Sequence, residues 1–172
     1  MFRRHPRLSA VAALMAAAAV AVPVLAYVIV PALVKSTLVE ALPTAAAAVL
    51  GPNPPDLMQT PQPTPATLVR GDLVRITAVD YGSGVVRIVT VGNDNFLRFE
   101  DVDIAGAPDM YVYLSDRSDG KPGTYVDLGK LKATNGSFNY AIPAAVDLSA
   151  IRSVVVWCRQ FTVTVTYAVL MR

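Results

Sequence analysis

The chain has 172 residues, 53% hydrophobic and 16% charged, with a net charge of +2 and a single cysteine. That length holds one domain plus accessories, and the lone cysteine excludes an intramolecular disulfide. Arg3, Arg4, Arg7 and Lys35 against Glu40 and Asp56 account for the whole +2, leaving 11 Lys/Arg against 11 Asp/Glu from Leu68 onward; a neutral domain gives no support for nucleic acid as a partner.

Residues 1–9 form a basic N-terminus. Ala10 to Val34 is a run of 25 residues without a charge. As a helix rising ~1.5 Å per residue it reaches roughly 38 Å, against the ~30 Å of a bilayer core. Residues 10–34 therefore read as a transmembrane anchor, with a kink expected at Pro23 or Pro31. Three arginines precede the span and one lysine follows it, so the N-terminus is expected in the cytoplasm and the C-terminus outside. The alternative is a signal peptide cleaved after Val24-Leu25-Ala26, but the run exceeds the ~7–15 residues of a signal h-region. Both readings export the C-terminal part of the chain. No cysteine near the end of the run offers a lipoprotein anchor.

Residues 35–67 read as a membrane-proximal helix and a Pro-rich linker. Residues 36–42 can form a short helix capped by Ser36 or Thr37 and stopped by Pro43. Residues 43–67 carry seven of the thirteen prolines, which favour extended polyproline II geometry. At ~3.1 Å per residue the segment reaches at most roughly 75 Å, the length of a stalk.

From Leu68 short β-rich runs alternate with turn residues, the pattern of a sandwich or barrel. Strands are expected at 71–79, 84–91, 96–104, 110–115, 124–128, 136–142, 153–158 and 160–170. Turns are expected at 80–84, 92–94, 107–109, 119–123 and at Asn135-Gly136, a hairpin dipeptide. In the last run Phe161, Val163, Val165, Tyr167 and Val169 alternate with Thr162, Thr164, Thr166 and Ala168, a half-buried antiparallel strand. Ser153 to Cys158 is continuously apolar and suits a central strand. The fold class is all-β: a single antiparallel β-sandwich over 68–172, after the N-terminal transmembrane helix.

Alternation places Cys158 on one face with Val154 and Val156, and Trp157 and Arg159 on the other. Among valines the thiol reads as a small buried hydrophobe, or alternatively as a redox or ligand group. A metal centre lacks ligands: the sole histidine is His5, so neither zinc nor blue-copper sets can form in the domain. Asp101-Val102-Asp103-Ile104-Ala105-Gly106 begins like a calcium loop, but Ala105 and Val112 stand where ligands belong. A strand with its acids outside and Val102 and Ile104 inside suits it better. No histidine beside a serine offers a hydrolytic base. Haem ligation through Cys158 alone is chemically open, and the cofactor is otherwise unknown. Tyr111, Tyr113, Tyr125, Phe138, Tyr140, Trp157, Phe161 and Tyr167 read mainly as sandwich-core residues with hydroxyls at the rim.

Several segments carry a family resemblance. They are Phe96 to Asp101, Ala107-Pro108-Asp109-Met110-Tyr111-Val112-Tyr113-Leu114-Ser115, Asp127 to Lys132, Gly136 to Ala144, Asp147-Leu148-Ser149, and Ser153-Val154-Val155-Val156-Trp157-Cys158-Arg159-Gln160-Phe161. From Gly71 onward the chain resembles the DM-thirteen domain, an electron-transfer domain of the Skeletor type, and its bacterial membrane-anchored members. The resemblance implies a β-sandwich in DOMON-like or jelly-roll style and a redox role for Cys158, with Trp157, Asp109 and Tyr111 as supporting residues. The chain departs from members that carry a histidine before the Gly-Ser-Gly turn; Asp80 and Tyr81 stand there. Two functions are then in view: an extracytoplasmic electron-transfer module working with an exported redox protein, or a non-catalytic binding or adhesion module on a stalk, with Cys158 a core residue.

Overall fold

The computed structural model describes residues 15–19, 21, 35–44 and 66–171. Met15–Ala19 and Ala21 are helical. The rest of the expected anchor at 10–34, and most of the Pro-rich linker, lie outside the described residues. No helix among the described residues is long and apolar enough to cross a membrane.

Among the described residues nine strands build two sheets: β1 (Thr37–Val39), β2 (Ala66–Asp72), β3 (Gly82–Val91), β4 (Asp94–Ile104), β5 (Met110–Ser115), β6 (Tyr125–Lys130), β7 (Asn135–Ile142), β8 (Ser153–Cys158) and β9 (Val163–Val169). One sheet runs β1-β7-β4-β3-β2 and the other β6-β5-β8-β9. Every neighbouring pair is antiparallel except β1 with β7, which are parallel. The inner faces bury Val86, Leu97, Phe99, Val112, Val154 and Phe138 completely. Phe99 and Phe138 stack at 5.0 Å between ring centroids, and Tyr140 meets both edge-on. This is the all-β sandwich read from residue alternation. Val102 and Ile104 point inward as expected, and β8 lies centrally between β5 and β9.

Four local expectations are corrected. Residues 37–39 form a strand, not part of a helix at 36–42. A seven-residue helix is too short to hold itself, while β-branched Thr37 and Val39 suit the free edge of β7. Asn135-Gly136 is no hairpin turn: both residues open β7, where Gly136 adopts φ +106° opposite Val102 and Leu38. The first long strand is shifted to 66–72, because residues 76–80 fold into a tight turn. There Ile76 N and Thr77 N donate to the Asp80 carbonyl. In β9 a bulge between its partners Val156 and Trp157 breaks the period of two. Val165, Thr166 and Ala168 are buried, while Val163 and Val169 are about two-fifths exposed. Thr166 is tolerated inside because its hydroxyl donates to the Val74 carbonyl at 2.8 Å.

Strand directions sort the connections into two ends. Loops 73–81, 105–109, 131–134 and 159–162 gather at one end, with the start of β1 and the end of β8. Backbone bonds tie them together: Ala105 N to Tyr81 O, Ile104 N to Thr134 O, Asn135 N to Ser36 O, Leu131 N to Met110 O and Arg159 N to Asp109 O. Loops 92–93 and 143–152 occupy the opposite end, while loop 116–124 starts there and folds back along β9, where the Gly120 carbonyl accepts from the Thr164 hydroxyl at 2.6 Å. β1 and β2, which precede and follow residues 45–65 in the chain, belong to one sheet.

Candidate functional site: Cys158 and the aromatic face of the second sheet

Cys158 is the last residue of β8, paired with Met110 of β5. It is fully buried among the core residues of the two sheets. Its thiol donates to the Pro108 carbonyl at 2.9 Å. The local sequence sets this geometry. Pro108 fixes its own φ, and Asp109 follows at φ +53°, a left-handed conformation that aspartate tolerates better than most residues. The turn is pinned when the Asp109 carbonyl accepts from Arg159 N at 3.1 Å.

The other supporting candidates lie beside the thiol, on the outer face. Tyr111 pairs with Trp157 across β5 and β8, and Asp109 lies 3.8 Å from the Lys130 ammonium. All four residues picked from the sequence thus meet at the paired ends of two strands, with Cys158 facing inward and Tyr111 and Trp157 facing outward.

Sequence reading gave no active part to Arg159, which organises this outer face. Its guanidinium lies over the Tyr111 ring at 3.3 Å from the centroid. Its Nε donates to the Tyr113 hydroxyl at 2.7 Å, and its Nη2 pairs with Asp127. Tyr113 in turn stacks on Tyr125 at 4.2 Å. Hydrogen bonding to Tyr113, reinforced by Asp127, holds the Arg159 pKa above its already high ordinary value. Burial raises the Tyr113 phenol above its ordinary value, and Arg159 offsets only part of that. At neutral pH the pair is a guanidinium donating to an intact phenol. The signal in the sequence was alternation: Tyr111, Tyr113, Trp157 and Arg159 share one face once β5 and β8 pair.

The aromatic expectation is corrected accordingly. Phe138 and Tyr140 do fill the core between the sheets. Tyr113 is buried on the opposite face, Tyr111, Trp157 and Tyr167 are half-buried, and Tyr125 and Phe161 are each 46% exposed. Antiparallel pairing in the second sheet leaves its tyrosines outward because Val112, Leu114, Val154 and Val156 already claim the inner face.

Chemically, a single cysteine has no internal partner. Thiol–disulfide exchange at Cys158 would end as a bond to another molecule, and the thiol must first leave the Pro108 turn. Haem does not fit: an iron ligand needs an open approach, and this sulfur is enclosed with its proton engaged. Among the described residues no three His, Cys, Asp or Glu converge on a metal-sized space. An open apolar pocket of about 250 Å³, lined by Leu68, Val69, Ile88, Leu148 and Ser149, does not include Cys158. It falls below the ~300–1,000 Å³ of small-molecule clefts.

A two-sheet sandwich with one enclosed thiol and an arginine-braced aromatic face defines a small all-β module. The family model described as electron transfer DM13 matches residues 77–170, more than half of the chain, and the protein belongs to that family. No curated protein and no solved structure matches it.

Proposed function

We propose that this protein is an extracytoplasmic electron-transfer module, held at the outer surface of the cell membrane by residues 10–34. In this reading Cys158 is the group that exchanges electrons with an exported redox protein. The observation that carries it is the family match over residues 77–170, which spans both sheets and includes Cys158. The apolar run and the arginines before it support the anchor and its orientation. The outer-face cluster of Tyr111, Trp157 and Arg159 supports a docking face beside the thiol, since aromatic and arginine side chains are enriched at interface hot spots.

A second reading rests on one specific observation. The thiol is completely buried and hydrogen-bonded, as in an inert core cysteine. The domain would then be a non-catalytic binding or adhesion module. Thiol labelling of the full chain in membranes separates the two. Labelling of Cys158 in the folded protein, with loss of electron exchange in a folded Cys158→Ala variant, is the outcome expected of the redox module. Labelling only after denaturation, with no electron exchange by either the wild-type chain or the variant, would leave the binding module. Protease added to intact cells should remove residues 68–172; their survival would refute export.

A further inference from the structure

Resting on the anchor proposed for residues 10–34, we infer that the Cys158 end of the sandwich lies directly against the outer surface of the bilayer, with the turns at 76–80 and 159–162 at the lipid boundary. The first ground is chain geometry. The apolar run ends at Val34, and the very next residue is fixed to the sandwich. Lys35 Nζ pairs with Asp103 at 2.5 Å. The Ser36 carbonyl accepts from Thr134 N and Asn135 N at 3.1 and 2.9 Å, and β1 comes at once after it. No free spacer separates the run from the domain. The expected linker at 43–67 follows β1 in the chain, so it does not stand between the apolar run and the sandwich.

The second ground is direction. β1 runs parallel to β7 from Asn135, so Lys35 sits at the end that holds Tyr81, Asp103, Asp109 and Cys158. The third is the surface found there. Val79 is 76% exposed, Phe161 46%, Ile76 44% and Val163 41%. These side chains do not hang from slack chain. The Thr77 hydroxyl accepts from Val79 N and Asp80 N at 3.2 and 2.8 Å, locking the turn that displays Ile76 and Val79. Beside it the Arg75 and Lys35 cations lie over the Tyr81 ring, 4.5 and 5.8 Å from its centroid. A tyrosine flanked by long cations suits the headgroup layer, where aromatic rings anchor and cationic stems snorkel.

At the opposite end the loops 92–93 and 143–152 expose no large apolar side chain. The other exposed apolar residues of the sandwich are scattered: Val39 and Leu42 follow the β1 edge, Leu68, Val169 and Met171 the β2–β9 edge, and Tyr125 opens β6, where it stacks on Tyr113. The occupant is therefore the bilayer itself, and a redox partner reaches Trp157 and Arg159 along the membrane plane rather than from above.

The full chain in nanodiscs of phosphatidylcholine and phosphatidylglycerol, doped with a lipid carrying a gadolinium chelate on its headgroup, tests this by NMR. Amides of residues 76–80 and 160–162 should lose most of their intensity. Those of residues 92–94 should keep theirs, since the 10 residues of β3 at ~3.3 Å each put that end roughly 30 Å away. An Ile76→Ser, Val79→Ser variant changes only exposed positions and should recover intensity at 76–80. Equal broadening at both ends, or stronger broadening at 92–94, would overturn the orientation while leaving the anchor standing. A chain that washes off the discs in alkaline carbonate would sink the anchor and the orientation together.

Discussion

Cys158 and Gly136 show how single positions carry this sandwich. Replacing Cys158 with Ala removes a sulfur from the core and strips the Pro108 carbonyl of its donor. A small cavity plus an unpaired acceptor cost about 1–3 kcal/mol, to be read as a lower urea midpoint with unchanged slope. That loss is expected whichever function Cys158 has, so stability alone does not reveal its chemistry. Gly136 is constrained twice over. Its φ of +106° disfavours any side chain, and an added Cβ would lie 2.2 Å from the Leu38 carbonyl oxygen. Gly136→Ala should destabilise the domain by more than about 1 kcal/mol and expel β1 from the edge of β7. Loss of hydrogen-exchange protection at the Glu40 amide, which donates to the Ser137 carbonyl at 2.7 Å, would register the expulsion. A protected Glu40 amide in that variant would contradict the account.

At the scale of elements, β1 is a three-residue strap whose strength comes from side chains as much as from its ladder. Glu40 accepts from Asn139 N at 2.7 Å and from the Asn139 side chain at 3.2 Å, and it pairs with Lys132 at 3.0 Å. Beneath the strap Arg98 is nearly buried. Its Nη1 donates to the Glu40 and Ala41 carbonyls at 3.3 and 3.2 Å and to Asn139 Oδ1 at 2.9 Å. Burial alone would raise the Glu40 pKa, but the Asn139 amide and Lys132 outweigh it and hold the carboxyl below its ordinary 4.5. A depressed folded pKa adds stability above the unfolded value, and that contribution is lost as pH falls through the folded one. The strap should therefore stay seated at neutral pH and loosen below about pH 4.5. The protection factor of the Asn139 amide should drop in that range, and Glu40→Gln should flatten the dependence. An Asn139 protection factor independent of pH would remove Glu40 as the latch.

The whole molecule is a sandwich whose first strand arrives from outside the span matched by the family. Without β1 the edge of β7 presents unpaired backbone groups, the template on which sheets aggregate. A fragment of residues 66–172 should therefore be less stable than one of residues 35–172 and more prone to self-association. Size-exclusion chromatography and urea unfolding of the two fragments provide the check; identical behaviour would reduce β1 to an ornament. Exposure of Arg98 in the shorter fragment should add to the difference.

Sequence by itself determined the sandwich, most strand positions from residue 82 onward and the family, because a period of two and turn residues are local properties of the chain. It also placed Cys158 inward and Trp157 and Arg159 outward, since alternation needs no partner. Tertiary structure alone decided the rest. Residues 37–39 became a strand only because β7, almost a hundred residues later, offered an open edge. Asn135-Gly136 became strand because it pairs with Asp103 and Val102 of β4 on one side and with Thr37 and Leu38 of β1 on the other. Val165 bulged where β9 met β8, turning Thr166 and Ala168 to the core. Arg159 acquired its role from Tyr111, Tyr113 and Asp127, which reach it through cross-strand register rather than sequence spacing. Such pairings depend on which strands meet, and no local pattern encodes that choice.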